Sequence, residues 1–248
     1  MDERLKDIVE NLESMKIGLD EPFKFHCTMC GKCCIHREDI LLSPKDIYNI
    51  SKELDIKPEE MFGLYCEVYV GSDSRVPIVR LKPRGSVKRC PLLKNRKCLV
   101  HKAKPTVCAM YPIGRCLMAT NPKEGLKNIT QGQLQYIFSN PECGDASETH
   151  TVREYLESFG IPVEDDFFLK WQQTIFDMGN FFRKIEKAVS QETMELVWTA
   201  AFTGIYIHYD IGQNFMPQFE SNSQSFFDML DSVFSEGGEN NIKQTYIM

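Results

Sequence analysis

The feature that most constrains this chain is a group of four cysteines within eight residues, Cys27, Cys30, Cys33 and Cys34. The spacing Cys-x2-Cys-x2-Cys is that of bacterial ferredoxin loops, in which a turning backbone brings the sulfurs onto one cluster or metal ion. Gly31 suits such a loop, because a residue without a Cβ adopts the left-handed conformations that tight turns require. The loop therefore predicts a thiolate-ligated metal centre.

The later cysteines are grouped as well. They occur in three short segments and before a glycine: Cys90-Pro91-Leu92-Leu93, Cys98-Leu99-Val100, Pro105-Thr106-Val107-Cys108-Ala109-Met110-Tyr111-Pro112 and Cys143-Gly144. In residue type, order and spacing, residues 20 to 160 resemble the YkgJ-like cysteine-cluster family, which is regarded as zinc- or iron-chelating and is related to flagellin lysine N-methylases. Family members usually carry Arg at the position of Lys104. Lysine lacks the planar fork of donors, so it cannot make an arginine's bidentate contacts.

The resemblance implies a metal-ligand role for eight cysteines: Cys27, Cys30, Cys33, Cys34, Cys90, Cys98, Cys108 and Cys143. Cys66 and Cys116 match no family position and are predicted to be free thiols. Neighbouring Cys33 and Cys34 are expected to serve different sites or different irons, since both would have difficulty reaching one ion without strain. One division puts Cys27, Cys30 and Cys33 with one distant cysteine, and Cys34 with the other distant thiols. The sequence is compatible with one metal site or with two.

Two kinds of metal fit these thiols. Zinc accepts four thiolates tetrahedrally and would act as a structural staple. A [4Fe-4S] cluster uses the same ligands, and three cysteines on one loop favour it, because zinc fingers usually present two separated Cys-x2-Cys pairs. His26, His36 and His101 lie beside cysteines. We expect them to hydrogen-bond to the ligands or to be exposed rather than to bind the metal.

The related methylases are associated with an iron–sulfur cluster and S-adenosylmethionine, so the resemblance implies methyl transfer to a protein lysine, with flagellin as an example of a substrate. The chain lacks the Gly-rich strand–turn–helix fingerprint of ordinary methyltransferases. Mixed aromatic and polar residues line small-molecule sites, and the candidates for the cofactor are Tyr206, His208, Tyr209 and Asp210. The competing hypothesis is a non-catalytic zinc- or iron-binding module with a structural or partner-binding role.

Charge and hydropathy restrict the partners. The formal charge of −6 argues against nonspecific binding to nucleic acid. The basic stretch from Arg80 to Lys104 is interpreted as a solvated face that balances the thiolates, with a docking surface for an acidic partner or cofactor as the alternative. No apolar segment reaches the roughly 20 residues that cross a membrane, and the amino terminus lacks the pattern of a signal peptide. A soluble cytoplasmic protein is predicted, in which reduced thiols bind metal. The oligomeric state is not predicted.

The predicted fold class is α+β, with an irregular cysteine-rich, metal-binding half that carries a small β-hairpin, followed by a mostly helical carboxy-terminal half. The predicted domains are residues 1–145, with an amino-terminal helix, and 146–248. The hairpin is predicted over residues 66–84, and little regular structure over residues 83–112. Helices are predicted over residues 2–18, 43–54, 149–159, 164–189, 191–207 and 223–234, with another short one from residue 55 and a frayed end from residue 235.

Overall fold

The structure is a computed structural model that describes residues 10–36, 38–118 and 129–234. The fold class is α+β, as predicted, with helices and several small antiparallel sheets. The chain divides into two compact units, each made of two separate segments. Unit 1 consists of Met1–Leu42 and Arg80–Gln173, and unit 2 of Ser43–Val79 and Thr174–Met248. Among the helices that the structure describes, none combines the length and the apolar character needed to cross a bilayer.

The described strands are β1 (Lys16–Ile17), β2 (Pro22–His26), β3 (Leu41–Leu42), β4 (Cys66–Val70), β5 (Pro77–Leu81), β6 (Leu93–Lys94), β7 (Lys97–Cys98), β8 (Ile113–Leu117), β9 (Leu134–Phe138) and β10 (Asp145–Thr151). The described α-helices are α1 (Pro44–Leu54), α2 (Pro58–Tyr65), α3 (Thr106–Met110), α4 (Val152–Ser158), α5 (Asp166–Ile185), α6 (Gln191–Ala201) and α7 (Phe215–Phe234). A π-helix spans Phe202–Ile207, and 3-10 turns span Lys32–Cys34, His101–Ala103 and Gln131–Gln133.

Unit 1 is built from short antiparallel sheets. One sheet has the order β1-β9-β8, a second pairs β2 with β10, and a third is the hairpin of β6 and β7. In β2, Phe23 and Phe25 are buried and alternate with exposed residues, as the period of a strand with one buried face requires. Tyr155 of α4 packs edge-on against both rings, with centroids 5.3 and 6.3 Å away. This aromatic core holds the end of β2, where the cysteine loop begins.

Unit 2 is mostly helical, and its beginning follows the sequence closely. Ser43 caps α1, its hydroxyl accepting from the amide of Asp46 while the Asp46 carboxylate accepts from the Ser43 amide, and Pro44 occupies the first turn. The helix predicted over residues 43–54 and the hairpin of β4 and β5 are both present. The largest side chains fully buried in this unit come from several elements: Ile47, Ile50, Met61, Met178, Phe182, Met194, Ile205, Phe219 and Leu230.

The two units differ from the predicted division at residue 145, because residues 43–79 belong with the carboxy-terminal helices. Hydrogen bonds tie the hairpin of β4 and β5 to those helices. The Trp198 indole N–H donates to the Arg75 carbonyl oxygen at 2.9 Å, and the Tyr206 hydroxyl donates to that of Pro77 at 3.1 Å. The apolar faces of α1 and α2 are buried in the same unit. Such contacts between distant segments leave no local signal in the sequence.

The predicted helix over residues 191–207 changes its winding partway. α6 ends at Ala201 and the π-helix takes over. The Thr199 hydroxyl donates to the Glu195 carbonyl oxygen at 2.7 Å and the Thr203 hydroxyl to that of Thr199 at 2.9 Å. Threonine hydroxyls that bond back to the preceding turn compete with the backbone ladder and often bend helices. Both contacts lie at the point where the winding changes.

Other helices begin or end at residues that differ from the predicted ones. α7 begins at Phe215, eight residues before the predicted start, and α4 begins at Val152 because residues 149–151 extend β10. Residues 10–15 are helical and Lys16 already belongs to β1, so the amino-terminal helix ends earlier than predicted. Residues 2–9 of that helix, and the end predicted to be frayed, lie outside the described residues.

Candidate metal centre

All eight cysteines predicted as ligands line one cavity of unit 1, with a volume of about 90 Å³. Each is a free thiol, as are Cys66 and Cys116. Aromatic and aliphatic side chains, among them Phe25, Leu92 and Tyr155, complete the wall. A single water molecule needs only about 10–15 Å³. The cavity therefore has room for more than one small ligand.

The loop after β2 carries the first four cysteines. Gly31 has φ +74°, so the left-handed conformation expected of it is present. The Cys34 amide donates to the Gly31 carbonyl oxygen at 3.0 Å, which closes the 3-10 turn holding Cys33 and Cys34. Their Sγ atoms are 3.9 Å apart. Two thiolates on one tetrahedral zinc ion would be about 3.8 Å apart, given bonds of about 2.3 Å. The neighbouring sulfurs thus do not diverge, and their service of different sites or different irons stays a prediction.

A hairpin brings Cys90 and Cys98 to the cavity. The Cys90 amide donates to the Cys34 carbonyl oxygen at 2.8 Å, and Cys98 pairs with Leu93 across β6 and β7. The two turn residues, Asn95 and Arg96, both have positive φ, +49° and +61°. Two left-handed residues in succession define the tight turn whose twist matches paired strands. This segment contains more regular structure than predicted. The sequence did not indicate the hairpin, because its turn lacks the glycine that usually marks one.

Cys108 is carried by α3, whose other side is anchored in the core. Ala109 and Met110 are buried, while Cys108 is only partly buried and lines the cavity. The Cys108 amide donates to the Pro105 carbonyl oxygen at 2.8 Å, so the proline fixes the start of this single turn. Pro105 is the residue before the helix, with an extended ψ of 140°, and its carbonyl oxygen accepts the first bonds of the turn.

Cys143 lies where β10 meets the end of β2. Asp145 pairs with His26, so Cys143 and Cys27 extend from the same end of the strand pair. Gly144 has φ +74°, and a Cβ there would overlap the His26 carbonyl oxygen and lie 2.7 Å from the Phe25 ring. Only glycine permits this approach. The Cys-Gly pair of the motif thus has a steric reason.

Backbone donors and burial set the thiol pKa values. The Lys32 amide holds the pKa of Cys30 below its usual value; burial opposes this shift, while the Gly144 amide and the Thr28 hydroxyl reinforce it. Burial raises the pKa of Cys90, Cys98 and Cys143. Because a metal binds the thiolate, these three thiols would release protons on binding.

Two side chains that were not among the predicted ligands adjoin these sulfurs. The charge of Lys104 lowers the pKa of Cys98 against the larger effect of burial, and its Nζ lies 5.2 Å from the centre of the Phe159 ring. The Tyr111 hydroxyl hydrogen-bonds to Cys143, and burial, followed by this bond, raises the pKa of Tyr111 to about 12. Tyr111 belongs to the Pro-x-x-Cys-x-x-Tyr-Pro segment, so the motif itself contained the signal for it.

The thiols share a cavity without being in coordination geometry. In the described ranges, no group of three or more His, Cys, Asp or Glu side chains is arranged to hold a metal ion. Coordination would require the thiols to lose protons and their Sγ atoms to turn inward, for which a cysteine needs rotation about a single bond. The chemistry of the donor set, with cysteine thiols on one partly apolar wall, fits a thiolate-ligated centre.

The histidines beside the cysteines have different surroundings. His26 Nδ1 lies 2.8 Å from a Glu148 carboxylate oxygen, and this contact raises the pKa of His26. His101 lines the cavity, and burial, followed by the charge of Lys104, lowers its pKa. The His36 amide donates to the Val87 carbonyl oxygen at 3.0 Å. A hydrogen-bonding or exposed role remains the prediction for the three.

The residues predicted for S-adenosylmethionine lie in unit 2 and do not line the cysteine cavity. Tyr206 and Tyr209 are buried, and their hydroxyls donate to the carbonyl oxygens of Pro77 and Ile205. The Asp210 carboxylate accepts from the Gly212 amide and the Gln213 side chain, which shapes the turn before α7. The His208 side chain is exposed. Their contacts in the structure are those of a helix end, and cofactor binding there stays a prediction.

Comparison with known proteins gives no match among solved structures. An uncharacterised protein of Methanocaldococcus jannaschii is 30% identical over 90 residues, which are 36% of this chain and 44% of that relative. The chain thus spans less than half the length of this curated relative. Residues 26–143 match a family model described as "Putative zinc- or iron-chelating domain". The matched range contains all eight cysteines of the cavity and supports metal binding by this part of the chain.

Proposed function

We propose that unit 1 binds metal at the cysteine cavity, and that one of two thiolate sites there holds a [4Fe-4S] cluster. The observation that carries this proposal is the convergence of eight thiols, from one loop and three later segments, on a single cavity. The loop spacing supports the cluster, since three cysteines separated by two residues each are the ferredoxin arrangement. A match to zinc- or iron-chelating domains over residues 26–143 supports the coarser part, metal binding.

We divide the thiols into two sets of four by the backbone elements that carry them, although Cys33 interacts electrostatically with thiols of both sets. Cys143 interacts electrostatically with Cys33 and Cys30. We assign these three, with Cys27 from the adjoining strand end, to the cluster. Cys90 is bonded through its amide to Cys34 and interacts with Cys98. We assign these three, with Cys108, to a second thiolate site.

When bound, the cluster would supply one-electron redox chemistry. The chain's own residues prepare the site. At the cluster, the amides of Lys32 and Gly144 donate to Cys30 and favour its thiolate. At the second site, the Val100 amide and the ammonium of Lys104 favour the thiolate of Cys98. Hydrogen bonds and charge around the sulfurs are what tune the potential of such centres. Phe25 and Tyr155 on the wall limit the access of water.

Zinc in place of the cluster is the second candidate, and one distance favours it. The 3.9 Å between the sulfurs of Cys33 and Cys34 is close to the edge of a zinc–thiolate tetrahedron. In a [4Fe-4S] cluster each iron takes a single cysteine, so adjacent ligand sulfurs lie farther apart. Zinc would act as a staple for the segments around the cavity, which contain little regular structure.

Anaerobic purification separates the two candidates. The cluster predicts a brown protein whose broad visible absorbance bleaches with dithionite, with equal amounts of iron and acid-labile sulfide. A colourless protein with stoichiometric zinc would contradict the cluster and support zinc, the second candidate. A protein that binds neither metal after reconstitution with each would contradict both. The Cys30→Ala variant should lose the cluster, whereas Cys116→Ala, at a thiol outside the cavity, should retain it.

We do not extend the proposal to lysine methylation by S-adenosylmethionine. The hydroxyls of Tyr206 and Tyr209 and the carboxylate of Asp210 are all used in internal hydrogen bonds. Isothermal titration of the metal-loaded protein with S-adenosylmethionine tests the activity that the resemblance implies. A saturable heat of binding would show that the protein binds S-adenosylmethionine and would support methyl transfer. The absence of such heat would support a metal-binding module without that activity.

A further inference from the structure

We propose that the surface around the mouth of the cysteine cavity docks an acidic protein. We call this surface the basic rim and define it as the turn of residues 84–89, the turn of residues 94–97, and the exposed side chains of Met29, Leu99 and Val107. The inference rests on the proposed function only in placing the partner over a metal centre, because docking itself depends on the rim.

The charge of the rim is opposite to that of the rest of the chain. Residues 80–104 contain ten of the 29 lysines and arginines and none of the 35 aspartates and glutamates. The chain nevertheless has a formal charge of −6, so the remainder is strongly acidic. Such a segregation of charge steers a partner of the opposite sign to one face and raises the rate of encounter.

Local contacts bring these charges to the cavity. The Val87 carbonyl oxygen accepts from the His36 amide at 3.0 Å, so the turn of residues 84–89 lies beside the cysteine loop. The backbones of Arg84 and Arg89 pair with each other, which makes that turn a closed unit. Arg96, in the second turn, lines the cavity directly. A partner bound to both turns would therefore cover the mouth.

The thiolates do not account for all of this charge. Arg96 and Lys104 line the cavity and are placed to balance them, but Arg89, Lys94 and Lys97 are exposed and are not part of the lining. The sequence analysis interpreted the whole stretch as a solvated face that balances the thiolates, and kept a docking surface as the alternative. The structure divides it into a part beside the sulfurs and a part that faces solvent.

The rim also exposes aliphatic side chains. Met29 is 57% exposed, Val87 48%, and Leu99 and Val107 40% each. Apolar side chains among charged ones are the composition of a protein interface, with apolar contacts in the middle and charges around them. Proteins that bind single-stranded nucleic acid instead stack bases on aromatic rings. The acidic remainder of the chain would also repel a long polyanion, whereas a compact acidic protein touches the rim alone.

The test uses the full chain and a fluorescein-labelled peptide of glutamates with interspersed leucines, followed by fluorescence anisotropy. Binding is expected to weaken as salt rises, because oppositely charged groups are screened. Reversing three exposed charges, with Arg89→Glu, Lys94→Glu and Lys97→Glu, should weaken binding at least about tenfold. The matched control reverses three exposed lysines of unit 2, with Lys57→Glu, Lys184→Glu and Lys187→Glu, and should change affinity less than about twofold.

A second pair of variants isolates the apolar contribution. Leu99→Ser with Val107→Ser should weaken the peptide about fivefold without altering the salt dependence, since no charge is removed. Equal losses in the rim and control triples would overturn the proposal. So would tighter binding of a thymidine oligonucleotide of equal charge, or self-association in sedimentation that the rim triple abolishes.

Metal content is measured on every sample, so the two proposals fail separately. A protein that carries metal but does not bind the peptide contradicts docking and leaves the metal proposal intact. A protein that binds the peptide through the rim but takes up no metal contradicts the proposed function and leaves docking intact.

Discussion

Gly144 packs so closely against His26 that a Cβ on the glycine would overlap the histidine's carbonyl oxygen. Gly144→Ala should therefore cost about 3 kcal/mol of unfolding free energy and also lower metal content, because the strand pair presents Cys143. Gly160→Ala is the matched control: its φ is +66°, but nothing lies within 4 Å of the added Cβ. We expect it to cost only about 1 kcal/mol. Urea denaturation measures both, and equal costs would contradict the steric explanation.

The division of the eight thiols predicts separable losses. Cys143→Ala should remove the cluster and spare the second site, whereas Cys98→Ala should do the reverse, since Cys143 lies at the strand end beside Cys27 and Cys98 lies in the β6–β7 hairpin. Metal per chain, measured by mass spectrometry after reconstitution, checks this, with Cys116→Ala as the control that retains full content. If either ligand variant loses all bound metal while remaining folded, a single shared centre replaces the two sites.

A buried ion pair joins β8 to the start of α5. Arg115 Nη1 lies 2.9 Å from Asp165 Oδ2, both side chains are less than 10% exposed, and the guanidinium lies over the Phe168 ring at 3.7 Å. Asp165→Ala should destabilise the protein by about 3–5 kcal/mol, because it leaves the arginine charge buried and unpaired. The double variant Arg115→Met with Asp165→Ala should recover much of that loss in the same urea titration. A double variant as unstable as the single would show that the charge is not the cause.

Cys66 predicts a dependence of stability on pH. Burial raises the pKa of this thiol to about 12, against about 8.5 for an exposed thiol. Between these pH values the unfolded chain has lost a proton that the folded chain keeps. The contribution of the thiol to the free energy of unfolding is therefore complete below about pH 8.5 and falls by about 1.4 kcal/mol per pH unit above it.

The comparison that isolates this thiol is with Cys66→Ala. In the wild type, the Cys66 sulfur contacts the Met61 sulfur at 3.6 Å, and this contact stabilises the folded protein at neutral pH. The stability difference between wild type and variant should shrink from about pH 8.5 upward, because only the wild type carries the thiol. Urea denaturation at several pH values measures it, and a constant difference would mean that the thiol ionises equally in both states.

The local parts of the fold were predictable. Ser43, Pro44 and Asp46 carry the chemistry of a helix start in adjacent positions, and α1 begins there. The valines before and after a polar turn predicted β4 and β5. The eight ligand candidates came from the family resemblance, and all of them line one cavity, while their role as ligands stays a prediction.

The parts that depend on distant contacts were not predictable. β10 carries few apolar residues, and it is a strand because β2 offers it a buried partner edge. The bond between the amide of Cys90 and the carbonyl of Cys34 joins residues far apart in sequence, so no local pattern announced it. The grouping of residues 43–79 with the carboxy-terminal helices depends on such contacts too, since α1 and α2 pack against the π-helix of Phe202–Ile207.

The pairing of β2 with β10 has a consequence for biosynthesis. The loop of Cys27 leaves the ribosome long before Cys143 and the strand that closes over it. A nascent chain that ends before residue 151 would present the thiols of the loop without the strand that positions Cys143, one of the proposed ligands. Insertion of metal is therefore expected to follow translation, and a pause in synthesis within this interval would lengthen the exposure of those thiols to oxidants.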